Sequence, residues 1–276
     1  MDVLVWGEGF LDLATLEGAS PPLNYASYVD EARRIYPDDV HEAIASGLRA
    51  ELGDSTEVRT ARLDDSHFGL SEEALARADV LVWWSHVKHH LVPDDVVRHV
   101  WQRVREGMGL IVLHSGNESK LFRLLMGTTG LVGGWRQSDD WEAVWTVNPA
   151  HPIAEGLPGV FTIPAEEAYA EYFDIPTPDE LVFVSTFRGG EVFRSGCCFT
   201  RGNGRIFYFR PGHESYPTFH LPDVRRVLAN AVRWTGRSSP PSTRLAALGG
   251  QDPDAARRKE MIEGWVHDPN IAGPSR

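Results

Sequence analysis

Cysteine is nearly absent. The two present, Cys197 and Cys198, are adjacent, which disfavours a disulfide between them and excludes the disulfide framework of small secreted domains. They read as reduced, buried strand residues. No run approaches the roughly 18 consecutive apolar residues of a membrane span. The start, Met1-Asp2-Val3-Leu4-Val5-Trp6, lacks a basic segment and a signal-length apolar region, so a cytoplasmic location is expected. Positive charge is also short: 27 Lys and Arg stand against 39 Asp and Glu, a formal net charge of −12. With no basic stripe to reverse it locally, that balance repels nucleic-acid phosphates and anionic membrane alike. No internal repeat of convincing period occurs.

What is present is ordinary for a globular protein: 42% hydrophobic and 24% charged residues over 276 positions, enough for one large domain. Nine tryptophans favour a pocket or an interface. From Gly236 the composition turns to Ser-Ser-Pro-Pro, Gly-Gly and a charged Asp252–Lys259 stretch. Residues 1–235 therefore read as one α/β domain and 236–276 as a peripheral linker with a short helix. A symmetric homodimer is the base-rate expectation for assembly.

Along the chain, Val3–Trp6 reads as a first central strand, followed by a Gly-, Pro- and Asn-rich loop to about Tyr36. Pro37 opens a helix with Val40, Ile44 and Leu48 on one face. Glu57–Leu63 reads as a strand, Ser71 onward as a short helix, Asp79–Trp84 as a strand, Pro93–Val104 as a helix and Gly109–His114 as a strand. Such alternation predicts a doubly wound, mainly parallel sheet covered on both faces. Ser115 and Glu118 have capping-box spacing ahead of Leu121, Leu124 and Leu125, so a helix is expected to start there. Between Trp141 and Thr200, short alternating segments (Ala143–Val147, Leu181–Val184, Glu191–Phe199) predict a β-rich insertion or antiparallel extension. Gly204–Phe209 and Pro222–Thr235 read as a closing strand and helix.

Three apolar runs lead to histidines: Val80–Trp84 to His86, Leu110–Leu113 to His114, and Ile206–Phe209 to His213. Ligands of open α/β sheets bind beyond the carboxyl ends of the strands, so the three imidazoles are expected to converge on one site. A helix N-terminus after His114 would add free backbone N–H groups. Each histidine taken alone is more often a packing or surface residue; the shared topological position makes the case.

The segments around these residues resemble the ThuA-like (trehalose utilisation) family: Asp79-Val-Leu-Val-Trp-Trp-Ser-His86-Val-Lys-His89, Gly107-Met-Gly-Leu-Ile-Val-Leu-His114-Ser-Gly, Met126-Gly-Thr, Asn148-Pro-Ala-His-Pro-Ile-Ala-Glu-Gly156, Glu191-Val-Phe-Arg-Ser-Gly196 and Arg205-Ile-Phe-Tyr-Phe-Arg-Pro-Gly-His213-Glu214. The resemblance implies a flavodoxin-related, class I glutamine-amidotransferase-like fold and a role in the catabolism of trehalose and related disaccharides, beside dehydrogenases that make 3-keto-sugars. The polar positions it carries over are His41, His86, His89, His114, Glu167, His213 and Glu214. Three departures occur, one being that the family's Glu-Glu-Met-Tyr-Gly-Glu pattern reads Glu166-Glu167-Ala168-Tyr169-Ala170-Glu171 here. Ser85 replaces the family's Gly before the first strand-end histidine, and Asn117 replaces its His after His114-Ser-Gly.

Amidotransferase chemistry itself requires an activated cysteine on a strained elbow. His114 holds the expected nucleophile position, so thiol hydrolysis is disfavoured. Ser115 lacks the Gly-x-Ser-x-Gly surroundings of a nucleophile. Two chemistries remain. Zn²⁺ or a similar divalent metal on His86, His114 and His213 could polarise a sugar carbonyl. Alternatively, His114 and His213 with Glu167 or Glu214 could shuttle protons beside a ketone without metal. His41, Trp84, His89, Tyr169 and Arg210 are candidate sugar contacts, although aromatics in strands are mostly core and Arg210 can simply pair with an acid. Trp83 and Trp135 offer similar flat faces, while Glu166, Glu171, Asp139 and Asp140 read as solvated acidic clusters. No nucleotide cofactor is indicated. The expected function is an isomerase, lyase or hydrolase acting on a 3-keto disaccharide or glycoside; the contrasting reading is a non-catalytic carbohydrate-binding or regulatory module.

Overall fold

The computed structural model describes residues 1–10 and 25–236; the expected C-terminal linker and helix fall outside them, as do residues 11–24 of the long loop. The elements in chain order are β1 (Asp2–Gly7), α1 (Tyr25–Ile35), α2 (Val40–Leu52), β2 (Glu57–Arg62), α3 (Glu72–Arg77), β3 (Val80–Trp84), α4 (Asp94–Glu106), β4 (Gly109–Leu113), α5 (Lys120–Met126), β5 (Gly134–Thr146), β6 (Val160–Ala170), β7 (Glu180–Phe187), β8 (Val192–Arg201), β9 (Gly204–Phe209) and α6 (Pro222–Thr235). No helix among the described residues is long and apolar enough to cross a membrane.

The nine strands among the described residues form one sheet, ordered β2-β1-β3-β4-β9-β8-β7-β5-β6. Strands β2, β1, β3, β4 and β9 are parallel, in the flavodoxin order with β9 as the fifth strand. The expectation of a mainly parallel sheet needs correcting, because four of the eight pairings are antiparallel. The reason is connectivity. From β5 to β9 no α-helix is interposed, and the turn between β8 and β9 is only two residues, Gly202 and Asn203, with Gly202 at φ 62°; such a link permits only an antiparallel neighbour. The sheet is thus a mixed one, with the β-rich segment extending it.

Strand residues alternate between two cores. Val3, Val5, Val82, Ile111 and Phe207 pack with Ile44 and Leu48 of α2 and Val227 and Leu228 of α6. Leu4, Leu81, Leu110, Val112 and Ile206 pack on the other face with Leu75 of α3, Val100 and Val104 of α4 and Leu121 of α5. Trp6, Trp83 and Trp84 lie in these cores, whereas Trp135, Trp141 and Trp145 remain exposed.

Two local expectations fail. The last part of the presumed loop is helix α1; among its residues of described burial, Val29 and Ala32 are buried, ahead of Tyr36. The second failure concerns Ser115, which caps no helix: residues His114–Glu118 form a 3-10 turn, and the helix begins later, at Lys120. Ser119 is its N-cap, accepting the Phe122 backbone N–H at 3.2 Å. Ser119→Ala is expected to lower unfolding stability by about 1 kcal/mol, whereas Ser115→Ala should not unwind α5; urea unfolding followed by circular dichroism compares the two.

Candidate active site and metal centre

Because β3, β4 and β9 are neighbours in register, with Trp84 opposite Leu113 and Leu113 opposite Phe209, the residues that follow them emerge at one rim. His86, His114 and His213 meet there as a triangle of rings with centroid separations of 5.2, 4.8 and 5.2 Å. The fourth member, Glu167, comes from β6 at the far end of the sheet order. The β5–β6 pairing that carries it is irregular between Arg136 and Glu142, as at β-bulges. One ligand atom from each of His86, His114, Glu167 and His213 lies within 4.8 Å of the others. That is wider than the about 3.3 Å edge of a tetrahedron of zinc–ligand bonds, so modest contraction would close it.

His114 is fully buried and left-handed, with φ 52°. Its Nδ1 donates to the Arg210 carbonyl oxygen at 3.3 Å, leaving the Nε2 lone pair 3.5 Å from Glu167 Oε2. Neither of these two buried atoms has a hydrogen-bond partner. Two acceptors facing each other need a proton or a cation between them, which is the test this donor set passes for a divalent metal. Burial, with the His213, His86 and Arg210 charges, holds the His114 pKa well below its usual value, as a lone-pair donor requires. Burial also pushes the Glu167 carboxyl up to about 7, against the pull of His86 and Arg210.

His86 Nδ1 lies 2.7 Å from Glu214 Oε1. Burial works against its protonation, but the Glu214, Glu167 and Glu8 carboxylates outweigh that and raise it to about 9. Glu214 is also desolvated by burial, yet His86 and His213 hold it down at about 2. Without a cation, then, His86 carries the positive charge of the cluster. His213, by contrast, is depressed to about 3, chiefly by burial.

The other expected contacts divide. Tyr169 stacks on His114 at 5.6 Å and its hydroxyl bonds Ser115 Oγ at 2.6 Å. Trp135, 67% exposed, pairs across the strands with Tyr169 and so shares its face. His89 bonds Ser85 Oγ through Nδ1 at 3.1 Å. Ser85 also accepts the Trp83 indole N–H at 3.0 Å. Trp84 is buried in the core and donates to the Gly212 carbonyl at 2.9 Å, so it braces the turn before His213. Arg210 is fully buried on Glu142 and the Glu167 carbonyl, the pairing alternative. His41 is not part of the cluster; it is buried in α2, with Nδ1 3.6 Å from Asp39 Oδ1. Asn117 is structural, donating to the Gly130 carbonyl at 2.6 Å and accepting from the Tyr208 hydroxyl at 3.3 Å.

The expectation of solvated acids fails for Asp140 and Glu166, both buried. Glu166 accepts the backbone N–H groups of Gly212 and His213 at 2.9 and 3.2 Å and the Thr218 hydroxyl at 2.7 Å, which fixes the loop carrying His213. Glu8, unremarked in the sequence, follows β1 and accepts the Val87 and Lys88 N–H groups at 2.7 and 3.0 Å, fixing the loop after His86. A carboxylate one residue past the first strand, at the same rim as the histidines, was the available signal.

The family profile of ThuA, described as trehalose utilisation, matches residues 33–235. A ThuA-like protein from Bacteroides uniformis is similar in structure, with TM-score 0.55, 16% identity and coverage of 87% of this chain and 93% of that one. A cytoplasmic protein from Salmonella typhimurium gives TM-score 0.58 at 13% identity, over 85% and 99%. PurLQS from Thermotoga maritima gives 0.50 at 11%, over 84% and 98%. At these identities the likenesses concern the fold, which is of the glutamine-amidotransferase type. No curated protein matches the sequence.

Proposed function

The chain belongs to the ThuA, trehalose utilisation, family, and from that premise we propose that it is a cytoplasmic sugar-catabolic enzyme acting on a 3-keto disaccharide or glycoside at the histidine and glutamate cluster. The observation that carries this reading is the facing pair of buried acceptors, His114 Nε2 and Glu167 Oε2, beside His86 and His213. A ketone acidifies the hydrogen on the adjacent carbon. In the metal-free form, the Glu167 carboxylate, whose pKa is raised to about 7, is suited to take that proton near neutral pH. The electron pair released can then expel the glycosidic oxygen, which takes up a proton as the C–O bond breaks.

A divalent metal, Zn²⁺ by its preference for nitrogen and carboxylate ligands, would be held by residues of the cluster and would polarise the ketone oxygen. In its absence, the acid proton of Glu167 fills the gap to His114. Protein purified without added metal is expected to contain about one equivalent of divalent ion per chain and to convert 3-keto-trehalose. Turnover that survives chelation selects the metal-free form of this reading. Binding of the sugar without chemical change selects the non-catalytic module, and absence of both binding and turnover with every keto-sugar tried refutes the proposal.

A further inference from the structure

The hydrogen bonds around the three imidazoles do not treat them alike. His114 Nδ1 must carry a proton, because the Arg210 carbonyl oxygen can only accept. His86 Nδ1 faces the Glu214 carboxylate, which favours the proton on Nδ1 in the same way. His114 therefore presents an Nε2 lone pair, and His86, the cation of the metal-free cluster, presents one once a metal ion displaces its Nε2 proton. His213 is connected in the opposite sense: the Ser215 backbone N–H donates to its Nδ1 at 3.1 Å. A nitrogen that accepts has no proton, so neutral His213 carries its proton on Nε2.

We propose that His213 is a hydrogen-bond donor to a substrate oxygen and not a metal ligand, the ligand set being His86, His114 and Glu167. This deepens the reading above and rests on it. To ligate through Nε2, His213 would have to place its proton on Nδ1, where the Ser215 N–H already points, and two donors would face each other. The peptide cannot easily turn away. The His213 N–H is held by Glu166 Oε1 at 3.2 Å and the Gly212 N–H by Glu166 Oε2 at 2.9 Å, and the Tyr216 N–H closes a turn on the His213 carbonyl at 3.1 Å. Nor does Glu214 supply a competing acceptor, since its Oε2 is 3.9 Å from His213 Nδ1.

His151 is an internal comparison. Its Nδ1 likewise accepts the N–H two residues on, that of Ile153, at 3.1 Å, and its Nε2 duly lies near acceptors, Glu180 Oε1 at 3.7 Å and Cys198 Sγ at 3.8 Å. At His213 the same arrangement leaves the proton on Nε2 of a ring whose centroid is 4.8 and 5.2 Å from those of His86 and His114. An oxygen bound at the cluster would lie within its reach, and a neutral imidazole there polarises an oxygen without delivering charge to the metal site.

Nitrogen-15 NMR of the imidazoles, with zinc-free protein and with Zn²⁺ added, tests the assignment without any variant. The expected result is a protonated Nε2 on His213 in both samples, with Zn²⁺ shifting Nε2 of His86 and His114. A protonated Nδ1 on His213, or a zinc-induced ligation shift at its Nε2, overturns it. In zinc titrations His213→Gln should keep affinity within about threefold, whereas His86→Gln and His114→Gln lose about thirtyfold or more; equal losses overturn it as well. In turnover of 3-keto-trehalose, His213→Gln, which keeps an N–H donor, should exceed His213→Leu. If Zn²⁺ perturbs no histidine, the metal form of the functional reading fails, while the tautomer and the Gln-against-Leu contrast still decide the role of His213.

Discussion

His114→Gly is expected to abolish zinc binding and lower turnover of 3-keto-trehalose by about three orders of magnitude while leaving the fold intact. The activity half follows from position. His114 supplies the Nε2 lone pair opposite Glu167 Oε2, and no other side chain in the cluster can replace it. The stability half follows from the backbone. His114 sits at φ 52°, a region that glycine enters freely and that costs other residues on the order of 1 kcal/mol or more. Glycine loses about as much through its greater freedom in the unfolded chain, and removing a buried nitrogen that lacks a partner gives back part of what the lost packing against Tyr169 takes. Metal analysis, steady-state kinetics and a thermal melt on the same preparation check all three outcomes. A melting temperature within a few degrees of wild type is expected. Near-normal turnover would remove His114 from the chemistry, and a large fall in melting temperature would show that the ring is needed for folding.

The convergence of three histidines was legible because β3, β4 and β9 are buried on both faces and read as apolar runs, so each strand end could be placed to within a residue. Glu167 was reachable only through the family resemblance. It lies near the end of β6, where Glu166 and Glu167, with Glu171 just beyond the strand, look like a solvated acidic face. The burial of Glu166 is set by donors on Gly212, His213 and Thr218, some fifty positions away, and no local periodicity encodes that. The misplaced cap has a similar origin: Ser115 and Ser119 both precede apolar residues, and only the left-handed turn at His114 decides that Ser119 starts the helix. The antiparallel extension, which places the fourth member of the cluster, was legible in the short alternating segments between Trp141 and Thr200; only its share of the sheet, four of eight pairings, was missed.

The same long-range dependence makes the buried Arg210–Glu142 pair the largest expected determinant of stability near the site. Both side chains are wholly buried, and Arg210 also binds the Glu167 carbonyl and lies 5.5 and 5.1 Å from the rings of Tyr169 and Phe187. Removing one partner strands the other charge, so Arg210→Met or Glu142→Leu alone should destabilise by about 3–5 kcal/mol. Joined in one chain, the two substitutions replace a desolvated ion pair with apolar groups of similar size, an exchange that is often near neutral. The double variant is therefore expected to recover most of the lost stability, with a coupling of about 5 kcal/mol or more in a urea double-mutant cycle. Turnover should not recover with it. The Arg210 guanidinium is what ties β9 to the β6 backbone at Glu167, and without that tie the carboxylate is no longer held against His114. Additive losses in the cycle would show that the pair is not an interacting unit, and recovery of activity along with stability would show that Glu167 is positioned by something else.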